Sequence, residues 1–469
     1  MYSGPDIERG GLVFGYDTGQ FASTNPNFEK FKPGGVKSKR FFKGKPSINY
    51  AAHRNAVPQS SYTSYTATTS GTWVEKHPGS IRAYNGQGTD ISYSSNSGVG
   101  DWTNTYHAYW TYDKQLKKPV IQMNAFDSNW KAKSFGVGMG AWSSLGVSAG
   151  DKYVISWLQW TTNTNLRADA GFYSKNTSNS RGFHDGRQTP GNTKTHKWER
   201  VHAVYTVSSN RNLNDSLGSI YMYGHTTSNG AGKILKIADV QLEILTDHPS
   251  DYLDSKSTGT TTSRSSTESL IDLTKTTNID VSNVSFDSDG LPTFDGTDDR
   301  INGTWPSSFN INDNTTPRTW EAVFNSSNTG GRRGIFGHKN SSGCSYHCNG
   351  GIFIYDGIIS FNWYDNAAYR FLGSQTVSSN TYYHVVATFD TDRKPRIYVN
   401  GILNSTYSSA TNLDYSSGMG TYDIGWNSKS GGQHYFTGTI PVVKFYKNKA
   451  LTADEVQQNF KAYKNRFDI

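Results

Sequence analysis

Residues 436–467, FTGTIPVVKFYKNKALTADEVQQNFKAYKNRF, constrain the fold of this chain more than any other stretch. Ile440, Val442, Lys444 and Tyr446 alternate with Val443 and Phe445, so apolar groups fall on both faces, as in a strand covered on both sides. A helix is expected at once. Thr452 precedes Glu455 by three residues, the spacing of a capping box, and Leu451 and Val456 occupy the positions of a hydrophobic staple. Val456, Phe460 and Tyr463 then recur at helical spacing and give one short helix an apolar stripe to lay on a sheet.

No comparable helical pattern is found elsewhere. The 469 residues include 47 glycines, 14% aromatics and only 18% charged groups, which predicts short strands joined by turns and an all-β chain. At ~150 residues per domain the length suffices for two or three domains. Lys and Arg exceed Asp and Glu by 46 to 38, a net charge of +8 that favours acidic partners such as anionic polysaccharide or lipopolysaccharide. Residues 37–45, KSKRFFKGK, lack any nucleic-acid-binding module around them, so they read as a solvated linker and no nucleic-acid partner is expected. No apolar run approaches the ~20 residues of a membrane span, and MYSGPDIERG has no apolar signal-peptide core. The expectation is a protein made in a cytoplasm without membrane insertion. Cys344 and Cys348, with His347 between them, are too few for a zinc site and are left as free or loop-clipping thiols.

The order of strand, NKALTADEVQQNF and chain end resembles the closing segment of laminin-G-like (concanavalin-A-like) jelly rolls, found in phage virion proteins and secreted lectin-like proteins. Residues 291–301, LPTFDGTDDRI, resemble that family's early FDG-x-x-D strand, and residues 382–403, YYHVVATFDTDRKPRIYVNGIL, resemble its central hairpin. The opener, GPDIERGGLVFGYDTG, is similar to the first strand of the phage members, and its continuation, SLIDL at 269–273, arrives some 250 residues later. The resemblance therefore implies a discontinuous jelly roll: a first strand within residues 1–28, an inserted domain with a basic lead-in at 29–255, a Ser/Thr linker at 256–268, and the remainder at 269–469. An N-terminal arm packing on a neighbouring subunit is the alternative. Runs at 151–160, 196–207, 219–223 and 233–244 make the insert a second β-sandwich, and its closing IADVQLE strand resembles galactose-binding-like jelly rolls and carbohydrate-binding modules.

Catalysis finds little support in the residues. Residues 146–150, GVSAG, spell a serine-hydrolase elbow, but a turn precedes a strand there, whereas that chemistry needs a strand entering and a helix leaving. Retaining glycosidases need two carboxylates ~5 Å apart. None of the eight glutamates has a second acid two or four positions away on a predicted strand. Asp298 and Asp299 follow the FDG strand where, by resemblance to laminin-G and pentraxin-like domains, a Ca²⁺ ion is held; the other reading is a solvated turn. No other cofactor is expected. Sugar sites on sandwiches present exposed rings beside hydrogen-bonding side chains. The candidates are Trp102, Tyr106, Tyr109 and Trp110 in DWTNTYHAYWTY, Trp363 and Tyr364 in FNWYDNAAY, and Trp426. Trp157 and Trp160 read as core.

The resemblance and the residues together give one expectation. It is a non-enzymatic phage virion protein, a tail fibre, adhesin or surface decoration that binds host-surface glycans and other virion proteins as a homo-oligomer, with a trimer as the guess. A purely architectural decoration protein and a polysaccharide depolymerase are the alternatives.

Overall fold

The computed structural model describes residues 7–18, 44–52, 81–84, 90–91, 108–116, 118–125, 131–137, 140–215, 219–226, 233–253, 261–306, 309, 311, 313, 315–340, 350–365, 367–413, 419–429 and 432–469. These residues are all-β with one short C-terminal α-helix. The chain forms two compact units: one joins the opening segment to residues Ser265–Ile469, and the other contains Ser47–Arg264.

In the discontinuous unit the strands, labelled within that unit, are β1 (Leu12–Asp17), β2 (Pro292–Asp295), β3 (Ile301–Thr304), β4 (Arg318–Ser326), β5 (Arg332–Asn340), β6 (Gly351–Tyr355), β7 (Ile358–Tyr364), β8 (Tyr369–Thr376), β9 (Tyr382–Phe389), β10 (Arg396–Val399), β11 (Ile402–Thr406), β12 (Met419–Ile424) and β13 (Thr437–Lys447). One sheet runs Ser285–Phe286, β2, β13, β4, β9, β10, β11, with β1 also on β13; the other runs β3, β12, β5, β6, β7, β8. Every pairing among these strands is antiparallel.

The opening strand is part of this sandwich. Phe14 pairs with Phe445 and Tyr16 with Val443, while Gly15 approaches so closely that a Cβ there would lie 2.6 Å from the Val443 carbonyl oxygen. The other edge of β1 is held by the segment after Leu270: the Gly15 amide donates to Asp272 Oδ1 (3.1 Å) and the Leu273 amide to the Gly15 carbonyl (2.7 Å). Phe14 is fully buried, its ring centroid 5.0 Å from Trp305 and 4.8 Å from Tyr422. Alternation places Trp320, Ala322 and Phe324 of β4 in the same core, with Ile359, Phe361 and Trp363 of β7 facing them from the other sheet.

Helix α1 (Ala453–Phe467) closes the unit. Its capping box is formed: Thr452 Oγ1 accepts from the Glu455 amide (3.3 Å), and Glu455 Oε2 accepts from the Thr452 amide (2.8 Å). Val456, Tyr463 and Phe467 are buried against Val386, Tyr398, Tyr446, Val323 and Val442, so the helix covers the second face of the β13 sheet. That is why β13 is apolar on both sides.

The other unit is also a β-sandwich. Its five-stranded sheet orders Glu199–Thr206, Lys152–Thr161, Lys233–Ile244, Lys118–Ala125 and Ala108–Asp113; a second sheet contains Leu166–Lys175, Ser219–Thr226 and Lys131–Val137. Trp142, Tyr153, Trp157 and Phe172 fill its core, joined by a fully buried Arg211–Asp185 ion pair of 2.5 Å. Ser148 of GVSAG lies on a turn before strand Lys152–Thr161, its amide donating to Asp151 Oδ2 (2.7 Å).

Candidate functional site

Strands β5 to β8 turn one face to the core and present the other face outward. Because side chains alternate, the inward positions Ile352, Ile354, Ile359, Phe361, Trp363 and Leu372 leave Tyr355, Ile358, Tyr364, Tyr369 and Phe371 on the outward face. Tyr369 is 45% exposed, Phe371 42% and Ile358 36%, among the most exposed large apolar side chains of the described residues.

These residues form a connected row. The Arg332 guanidinium lies 4.4 Å from the Tyr355 ring centroid, and the Tyr355 and Phe371 rings meet edge to face at 5.1 Å. By register Phe371 is opposite Asn362, four residues along β7 from Ile358, the partner of Tyr355, so its ring must lean back over the sheet to make that contact. Ser360 and Gly373, paired between them, leave the space. A Cβ at Gly373 would stand 3.3 Å from Phe371 Cε1 and 3.5 Å from Ile358 Cγ2. At the end of the face Tyr364 and Tyr369 pair at 4.9 Å, and Arg370 Nε is bound to Asp365 Oδ2 at 2.5 Å. Burial opposes ionisation of Asp365, but the Ala368 amide, Arg370 and the Ala367 amide outweigh it and hold the carboxyl below its usual range.

Two of the rings singled out from the sequence are not surface platforms. Trp363 is fully buried; its neighbour Phe361 already faces the core across one intervening residue, so Trp363 does too, stacked at 5.6 Å with its indole N–H donating to Thr411 Oγ1 (3.0 Å). Trp426 is 8% exposed and covered by Arg300, whose guanidinium lies 4.9 Å from the ring. Tyr364 does lie on the outward face, half-buried. Tyr109 and Trp110 sit on strand Ala108–Asp113 opposite Gln122 and Ile121. Trp102, Tyr106, Cys344 and Cys348 lie outside the described residues. Phe371 lay outside the segments singled out from the sequence, and Tyr369, the last residue of FNWYDNAAY, was not named among its rings; the signal was the parity of β7, carried across the Asp365 turn into β8.

Asp298 and Asp299 are brought together with Asp295, their carboxylate oxygens within 4.8 Å of one another. Asp295 Oδ1 accepts from the Thr297 (2.7 Å) and Asp298 (3.3 Å) amides, and Asp299 Oδ2 accepts from the Asp295 amide (2.9 Å). Burial, with the charges of Asp295 and Asp298, raises the pKa of Asp299 despite that amide. Three crowded carboxylates suit a hard cation, although Ca²⁺ takes 6–8 oxygens and other ligands would have to complete its shell.

Glu321 is a fully enclosed acid. It is fully buried on β4, facing α1, and accepts from His384 Nε2 (2.9 Å), Lys444 Nζ (3.2 Å), Tyr446 Oη (3.1 Å) and Asn459 Nδ2 (2.8 Å). Burial works to raise its pKa, but Lys444 and His384 hold it at about 2. This group ties helix to sheet and is inaccessible to any polymer.

Residues 295–457 match the family model Laminin_G_3, the concanavalin A-like lectin/glucanases superfamily. The discontinuous unit is thus a laminin-G-like, concanavalin-A-like jelly roll, and β1 adds to it from outside the matched range. No curated protein sequence matches the chain. Solved structures similar to parts of it include the CBM40 of Ruminococcus gnavus IT-sialidase bound to alpha2,3 sialyllactose, at 15% identity over 31% of this chain and 84% of that one, TM-score 0.28. A native heptameric SAP-like pentraxin from Limulus polyphemus matches at 16% over 35% and 78%, TM-score 0.28. Botulinum neurotoxin type C matches at 15% over 42% and 49%, TM-score 0.33. At these values they bear on neither ligand nor role.

Proposed function

We propose that this chain is a non-enzymatic glycan-binding protein and that the sugar docks on the outward face of β5–β8. The observation that carries the reading is the outward Tyr355–Phe371 row, with Phe371 exposed, Tyr355 half-buried and Arg332 at one end, on a sheet where Ser360 and Gly373 let a ring lie low. Sugar C–H faces pack on such rings, and the flanking polar groups supply directional hydrogen bonds. Asp295, Asp298 and Asp299 would hold Ca²⁺.

The finer reading is a phage virion component of the tail-fibre, adhesin or decoration type, and it rests on the sequence resemblance alone. It includes assembly in the host cytoplasm, other virion proteins as partners, host-surface polysaccharide or lipopolysaccharide as target, and a homotrimer. Weak single sites would gain through many copies on one particle. The test is a polysaccharide and lipopolysaccharide panel probed with the full chain and with Phe371→Ala and Tyr369→Ala. Binding lost in both variants, with folding intact, supports the reading. A blank panel, or binding indifferent to both substitutions, refutes it.

A further inference from the structure

Resting on the sheet-face reading, we infer that the glycan bound there is acidic: a sugar carboxylate pairs with Arg332 while the apolar face of the same or the adjoining residue packs on Phe371. Three observations carry this. First, the cations near the face are not equivalent. Arg370 is tied to Asp365, and Arg333 Nη1 donates to the Tyr435 carbonyl (3.2 Å). Arg332 is half-buried and makes no ion pair or hydrogen bond through its side chain among the described residues; its partner is the Tyr355 ring.

Second, that ring holds the guanidinium in place without using its N–H groups. That contact keeps the guanidinium over the ring and leaves its donors for an oxyanion, and a bidentate carboxylate matches such a fork better than any neutral hydroxyl. Third, the charge and the exposed ring lie in one row, Arg332–Tyr355–Phe371, through contacts of 4.4 and 5.1 Å. One ligand can therefore meet both. A neutral sugar would engage the ring and leave the guanidinium to water, and a simple anion would do the reverse.

Polygalacturonate, alginate and hyaluronate, each beside its carboxyl-methyl-ester, separate the two components on the same backbone. Binding of the full chain is measured by calorimetry or interferometry in EDTA, so that no calcium bridges are formed. The expected result is that at least one acid form binds roughly tenfold tighter than its ester, the scale of one charge-assisted pair. Arg332→Gln should abolish that preference, Arg332→Lys restore part of it, and Phe371→Ala weaken acid and ester alike. Both side chains are at the surface, and circular dichroism checks that the variants fold. If no acid form binds, if ester and acid bind equally, or if Arg332→Gln keeps the preference, the inference is wrong. Neutral glycans whose binding is lost in Phe371→Ala would then leave the sheet-face reading standing, and binding indifferent to Phe371→Ala removes both.

Discussion

Replacing Glu321 by Gln tests how the discontinuous sandwich is held shut. The side chain is fully buried and serves four donors, one of them the buried ammonium of Lys444. Gln keeps the shape but removes the charge, leaving Lys444 without its counter-ion. Breaking a buried pair from one side costs about 3–5 kcal/mol. The shift of the carboxyl from 4.5 to about 2 gives a similar scale, about 3 kcal/mol at 1.36 kcal/mol per unit. Its cause is mutual: burial lowers the Lys444 pKa and Glu321 opposes that, so in the variant Lys444 should give up its proton more readily.

Hydrogen exchange read peptide by peptide is the assay. Helix α1 and strand β9 should lose protection equivalent to about 3 kcal/mol, while strand Lys152–Thr161 of the other unit stays unchanged. Adding Lys444→Met should recover at least half the loss, because an apolar pair of similar volume has no charge left to orphan. Acid gives an independent reading. Since the folded pKa lies below the ordinary one, the stabilisation from Glu321 is whole above pH 4.5 and drains as pH falls towards 2, so the variant should show a flatter acid limb. A loss below about 1 kcal/mol in α1, or a double variant no better than Glu321→Gln alone, refutes the reasoning.

Other substitutions separate further claims. Phe14→Ala should cost about 3–5 kcal/mol and open β13 and the 270–274 segment to exchange, though those residues are more than 250 positions away; loss of protection confined to β1 would contradict its place in the core. Trp363→Ala should destabilise by about 3–5 kcal/mol yet leave glycan affinity unchanged in the fraction that remains folded, and a pure affinity loss without destabilisation would return that ring to the surface. Asp299 has a raised pKa, so its ionised form weighs against folding as pH climbs through the carboxylate range. Asp299→Asn should therefore melt no lower than wild type in EDTA, and Ca²⁺ should raise the melting temperature of wild type only; Ca²⁺ acting on both alike, or on neither, removes that site.

What the sequence disclosed depended on how local the determining physics is. The capping box, staple and stripe of residues 451–463 are all settled within one helix, and they form as the spacing predicts. The discontinuous sandwich was legible because the first strand carried its own signal, two rings flanking Gly15 in GLVFGYD, with no partner nearby to satisfy it. Glu321 and Lys444 also left a trace, each a lone charge inside an apolar strand run, TWEAVF and PVVKFY. That spelling implies a buried partner for each, but joining them across 123 residues takes the β4–β13 register.

The rings fail differently. FNWYDNAAY was chosen for its mixture of aromatics and amides, a property of the segment, whereas exposure is a property of each position and flips at every residue. Parity alone would have sent Trp363 inward with Phe361 and Tyr364 outward. It would not have produced the row, because Phe371 reaches Tyr355 only over Ser360 and Gly373, two small residues on different strands whose pairing follows a register shift between Ile358 and Ser360. A surface able to receive a sugar is therefore set here by absent side chains as much as by rings. Gly373→Val should lift Phe371 off the sheet and reduce glycan affinity as much as Phe371→Ala does, with the aromatic content of the site untouched. Unchanged affinity in that variant would show that the rings act singly and that the row has no role.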